Sequence, residues 1–107
     1  MKITVKDHAK LQPDKMAKIA LATTKRAQLD LYCIGSGQTQ KAHVHDDQDK
    51  ICYVLEGRGR FTLDGVEETL EAGQAIVAAA GRSHGITNAG SDPLLVLVVV
   101  TPPPEHG

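Results

Sequence analysis

The chain is poor in aromatic residues, with no Trp, one Phe and two Tyr. A single nucleic-acid strand would find almost nothing to stack its bases on. A surplus of one charge sign is also missing, the formal net charge being −1 at pH 7. There is therefore no overall basic field to hold a polyanion. Two Cys do not make a disulfide framework. The longest strongly apolar run, Leu94 to Val100, falls far short of the roughly 20 residues of a membrane-crossing helix. The opening Met1–Asp7 interrupts its apolar residues with Lys and Asp, unlike the apolar segment of a signal peptide. These absences lead us to expect a soluble, reduced, cytoplasmic protein with neither nucleic acid nor membrane as partner.

What is present suits one domain. At 107 residues the chain sits at the lower end of the roughly 100–200 typical of a domain, so 1–107 reads as a single unit. A hydrophobic content of 41% is enough for one core and argues against disorder of the bulk. Residues 1–26 carry seven Lys/Arg against two Asp, which we read as a solvated face.

Turn signals recur at short intervals: Gly35-Ser36-Gly37, Glu56-Gly57-Arg58-Gly59, Asp64-Gly65, Ala72-Gly73, Gly81-Arg82-Ser83 and Asn88–Pro93. Between them lie short runs with strand character. Leu29, Leu31 and Cys33 alternate with Asp30 and Tyr32; Ile51–Leu55, Phe61–Leu63, Ala75–Ala79 and Leu94–Thr101 follow. Many short strands at this spacing predict an all-β sandwich or barrel. Asp64-Gly65 predicts a two-residue hairpin turn, since both residues tolerate positive φ. The first quarter is ambiguous, because Met16, Ile19 and Ala20 fit a helical stripe while Ile19 and Leu21 fit a strand. Pro102-Pro103-Pro104 cannot continue a ladder, so the last strand should end there with a frayed tail.

Of five histidines, three fall in two places. In Lys41-Ala42-His43-Val44-His45 both imidazoles share one strand face, about 7 Å apart along the chain, close enough to grip one metal ion. His84 follows Gly81-Arg82-Ser83, where a later strand can face them. Such a pair alone is a weak signal, because it also occurs as ordinary polar surface.

These segments resemble the cupins, small double-stranded β-helix (jelly-roll) barrels. Their first motif runs Gly, five residues, His-x-His, three or four residues, Glu, six residues, Gly; here stand Gly37, His43, His45 and Gly57. Their second runs Gly, five residues, Pro-x-Gly, two residues, His, three residues, Asn; here stand Gly73, Gly81, His84 and Asn88, with Ala79 in place of Pro. The resemblance implies that His43, His45 and His84 ligate a divalent transition metal: zinc, iron, nickel or manganese. It does not carry over the glutamate. Lys50 stands there, and a charged ammonium cannot ligate a cation. The shorter motif spacing puts Asp49 there instead, a sensible oxygen ligand that strand parity turns away unless a bulge re-aims it. Gln48 shares Lys50's parity but is a weaker ligand lying further off.

Three readings of the site stand side by side: three histidines with open positions, a site completed by Asp49, and a metal-free pocket in which Lys50 pairs with an anion. Lys50 is also the candidate catalytic base, if burial lowers its pKa. Cys52 shares its parity and is expected inside as a small hydrophobe, Cys33 in the core, and Tyr53 on the outer face or in a dimer contact. Arg60 and Arg82 can meet a substrate carboxylate, though solvation at the surface suits them better. His8 and His106 lie outside the motifs. Asn88 resembles the family's structural turn residue. The implied function is a metal-dependent enzyme of isomerase, lyase or dioxygenase type acting on a polar small molecule; the alternative is a binding barrel for a sugar or carboxylate. The resemblance also implies a homodimer, which would cover an edge strand expected at Lys2–Val5.

Overall fold

A computed structural model describes residues 1–104. A 3₁₀ turn, Val5–His8, precedes nine strands: β1 Ala17–Thr23, β2 Gln28–Ile34, β3 Thr39–Val44, β4 Asp49–Glu56, β5 Arg58–Leu63, β6 Val66–Glu71, β7 Ala75–Ala78, β8 Ser83–Thr87 and β9 Leu94–Thr101. They form a five-stranded sheet, β1-β2-β9-β4-β7, and a four-stranded sheet, β3-β8-β5-β6. All strand pairs are antiparallel. This is the expected double-stranded β-helix barrel.

The two sheets meet over one apolar core. Tyr32 and Ile34 from β2, Val54 from β4 and Val96, Val98 and Val100 from β9 pack against Phe61, Leu70 and Ile86 of the opposite sheet. Phe61 is 2% exposed; burying a side chain of this kind stabilises by roughly 1.5–3 kcal/mol. A second cluster lies on the outer face of the larger sheet, where Ala17, Leu31, Cys33 and Leu95 are covered by Val5, Ile19, Leu21 and Leu55. Strands β2 and β9 are thus apolar on both faces over part of their length, which explains the unbroken Leu94–Val100 run.

The Asp64-Gly65 turn forms as expected, both residues at positive φ (49° and 80°), joining Leu63 to its partner Val66. The helix-or-strand alternative around residues 16–21 resolves as strand: β1 pairs with β2, and its alternating Ile19 and Leu21 pack into the outer cluster. Other expectations need correction. Lys2–Val5 is not an edge strand. The chain turns locally instead, with Asp7 N–H donating to Thr4 O and Ala9 N–H to Lys6 O. The tail past Thr101 is not frayed through Pro104, which lies against the barrel mouth. His106 falls outside the described residues. Among those described, no helix is long and apolar enough to cross a membrane.

Candidate functional site

The site begins with a bulge. β3 pairs with β8 through Gln40–Ile86 and His43–His84, so Lys41 and Ala42 together oppose Gly85. One extra residue shifts the side-chain alternation by one. Gln40, His43 and His45 are all half-buried, while Thr39, Lys41, Ala42 and Val44 are exposed. The bulge needs glycine opposite it: a Cβ on Gly85 would stand 2.9 Å from both Ala42 N and Gln40 O.

His43, His45 and His84 come together as expected. Their ring centroids are 4.7 Å (His43–His45), 4.4 Å (His43–His84) and 6.0 Å (His45–His84) apart. Three imidazoles on one tetrahedral ion, at metal–nitrogen distances of about 2.0–2.1 Å, have centroids roughly 5 Å apart. The spacing therefore fits a metal. Among the described residues, however, no group of three or more His, Cys, Asp or Glu side chains is placed to hold a metal ion as it stands. His43 Nδ1 lies 2.8 Å from Lys41 O, which orients the ring and leaves Nε2 for a ligand. His84 is 7% exposed, and its Nε2 is buried without a hydrogen-bond partner. An orphaned buried nitrogen costs stability unless something binds it, and imidazole nitrogens are donors of the kind that suit a divalent transition metal.

Burial lowers the pKa of His84 to about 4, reinforced by the charges of His43, Lys50 and His45 and opposed by its bond toward Arg82 O. His45 is lowered too, by burial first and then by Lys50, His43 and Lys18. Both rings are therefore neutral near pH 7, the form that ligates.

Lys50 is turned inward beside the cluster, and Asp49 is turned outward. Along β4, Lys50, Cys52 and Val54 are buried while Asp49, Ile51 and Tyr53 are exposed. Asp49 Oδ1 accepts a 2.8 Å hydrogen bond from Ala80 N–H. It braces the turn before His84, and β4 has no bulge there to re-aim it. Gln48 donates to Pro102 O at 3.2 Å. Lys50 is 6% exposed, and its Nζ reaches the Tyr32 hydroxyl at 3.4 Å. Burial, then the neighbouring Lys18, holds its pKa below the ordinary lysine range. Cys52 points inward, its thiol pushed up to about 11 by burial, and behaves as a small hydrophobe.

Arg60 and Arg82 are taken up by surface ion pairs, with Glu67 at 2.6 Å and with Asp64 respectively. Asn88 is fully buried, donating to Ile34 O and Asp92 O and accepting from Gly90 N–H, so its part is structural.

Three inward residues of β2 belong to no motif in the sequence and were missed as site residues: Gln28, Asp30 and Tyr32, at 7%, 7% and 2% exposure. With Lys18, Lys50 and His45 they line a cleft of about 290 Å³ at the barrel mouth. Their one signal is the alternation with Leu29, Leu31 and Cys33. The apolar partners face the outer cluster, and the polar set faces the interior.

Comparison with known proteins agrees with this architecture. The family model described as "Cupin domain" matches residues 30–100. The crystal structure of TT1209 from Thermus thermophilus is 42% identical, covering 97% of this chain and 100% of that one, with a TM-score of 0.92. The uncharacterized protein MJ1618 of Methanocaldococcus jannaschii is 36% identical over 70 residues, 65% of this chain and 56% of that protein. An oxalate-binding protein of Thermotoga maritima is 33% identical over 64 residues, 60% of this chain and 53% of that protein. The chain spans about half the length of the curated relatives it matches. Since the matched segment takes in most of the strands and both histidine motifs, the chain belongs to the cupin family.

Proposed function

We propose that the chain is a metal-dependent cupin acting on a polar small molecule at the barrel mouth. His43, His45 and His84 hold a divalent transition metal (zinc, iron, nickel or manganese), which supplies Lewis-acid chemistry, or oxygen chemistry if it is iron. The observation that carries this reading is the convergence of three imidazoles around a buried His84 Nε2 that no protein group satisfies. Lys50 is the candidate base, since burial lowers its pKa from the ordinary lysine range. Asp49 is left out of the ligand set because Ala80 N–H already engages its outward-facing carboxylate.

A second reading, a barrel that binds a sugar or carboxylate without turnover, is favoured by Lys50 itself, a cation where the family carries an anion. The Thermotoga relative is an oxalate-binding protein, and oxalate is accordingly the first anion to try. Titrating metal-free protein with zinc, nickel, manganese and iron(II) tests the first reading. One ion per chain should bind, and His43→Ala should weaken binding at least tenfold. Unaltered oxalate binding in chelator, with no metal uptake, would favour the second.

A homodimer and a cytoplasmic setting belong to the same reading. Support for pairing comes from the exposed Ile51, Tyr53 and Val77 on the outer face of β4 and β7, and light scattering at micromolar concentration should report about twice 11.4 kDa. A mass of one chain would refute it. Two buried, unpaired cysteines suit a reducing compartment.

A further inference from the structure

Lys50 is 6% exposed as a residue, and the phenol of Tyr32 is the hydrogen-bond partner of its ammonium. Among the described residues no carboxylate lies within ion-pair distance of it or of Lys18. An isolated buried charge is costly unless an opposite charge joins it.

Tyr32 carries a second ammonium on its other side. Lys18 is its cross-strand partner, with Nζ 5.3 Å from the ring centroid. One phenol is thus flanked by two lysines, Lys18 at the ring face and Lys50 at the hydroxyl, and all three line the same cleft. The cleft's other charged wall is Asp30, whose Oδ1 accepts a 2.7 Å hydrogen bond from Gln28 Nε2.

Two ammonium groups against one carboxylate leave a single positive charge to be matched. The excess is at the Lys18–Tyr32–Lys50 side, while Asp30 repels a second anionic group at the far side. The cleft, about 290 Å³, is of a size for a small molecule. A ligand that fits is small, singly anionic at one end, and able to donate a hydrogen bond at the other.

We propose that this cleft is a receptor for a small hydroxy-monocarboxylate, its carboxylate held by Lys50, Lys18 and the Tyr32 hydroxyl and its hydroxyl group donating toward Asp30. This names the substrate class of the site described above and rests on that reading for its catalytic meaning; the groups that grip the ligand are Lys50, Lys18, Tyr32 and Asp30, in a cleft that His45 also lines.

Calorimetric titration with glycerate, glycerol, malonate and inorganic phosphate tests it, on metal-loaded and chelator-treated protein whose metal content is measured in parallel. Glycerate should bind at least tenfold more tightly than neutral glycerol, dianionic malonate or phosphate. Lys50→Met and the solvent-facing Lys18→Gln should each weaken glycerate at least fivefold, and chelator-treated wild type should retain glycerate binding. Equal binding of glycerol, preference for malonate or phosphate, or indifference to Lys18→Gln would overturn the receptor. A metal-loaded protein that fails to bind glycerate sinks this proposal and leaves the metal reading standing. Glycerate binding by a chain that takes up no metal does the reverse.

Discussion

The two ends of the barrel interior are made by the same strands, yet they have opposite character. At one end Ile34, Val54, Phe61, Leu94 and Val96 are at most 2% exposed and belong to one apolar cluster. At the other, one row across the larger sheet runs Gln28–Val100–Lys50, and the facing sheet contributes His84 with its unsatisfied nitrogen. The apolar end supplies stability. The polar end buries an amine and neutral imidazoles at a cost that a bound metal or anion would offset. Within a single β2 strand the change takes place between Tyr32 and Ile34.

The sharpest way to break the apolar end is Phe61→Ala. It removes the one Phe, which is fully packed, and should destabilise by about 3–5 kcal/mol in urea denaturation, without reaching the histidines directly. A loss below about 1 kcal/mol would mean that this end is not the stabilising one.

Acid should act on the polar end. In metal-free protein His84 titrates at about 4 rather than 6.5 because burial disfavours its cation. The unfolded chain therefore binds more protons between those values. Its contribution is complete above pH 6.5, declines as pH falls, and levels off below pH 4. The total from His84 is up to about 3 kcal/mol, and His45, also lowered by burial, adds in the same direction. Urea midpoints measured from pH 7 downward should show this slope, and His84→Gln should flatten it. An equal slope in the variant would contradict the assignment.

Replacing Lys50 by Met keeps much of the volume and removes the buried charge, so Lys50→Met should raise stability by about 1–3 kcal/mol while impairing the site. Destabilisation instead would mean that the amine is better satisfied than the Tyr32 contact suggests. The smallest effect is expected outside the barrel. Arg60→Ala breaks a half-exposed pair with Glu67 and should cost less than about 1 kcal/mol.

Much of this architecture can be read from the residues. Turn residues at short intervals, the Asp64-Gly65 hairpin and the two histidine motifs are enough for an all-β barrel with His43, His45 and His84 converging. Strand parity alone sends Lys50 inward and Asp49 outward. Less legible is anything that depends on which face of a strand is the interior. On β2, Leu29, Leu31 and Cys33 look like the core side, but this sheet is buried on both faces, and the pattern by itself cannot tell the outer cluster from the barrel. Gln28, Asp30 and Tyr32 escape a sequence reading for that reason. The bulge at Lys41 and Ala42 is equally hidden, because its signature is a glycine on a different strand, Gly85. The 3₁₀ turn at Val5–His8 replaces a strand because its backbone finds partners within four residues.

The measurement that tests the central claim most directly is elemental analysis of protein purified without tag or chelator, on wild type and His84→Ala in parallel. Close to one transition-metal ion per chain in the wild type, lost in the variant, is the predicted result, and the element found would select Lewis-acid or oxygen chemistry. A folded wild type that is metal-free and refuses added zinc, iron, nickel and manganese would contradict it.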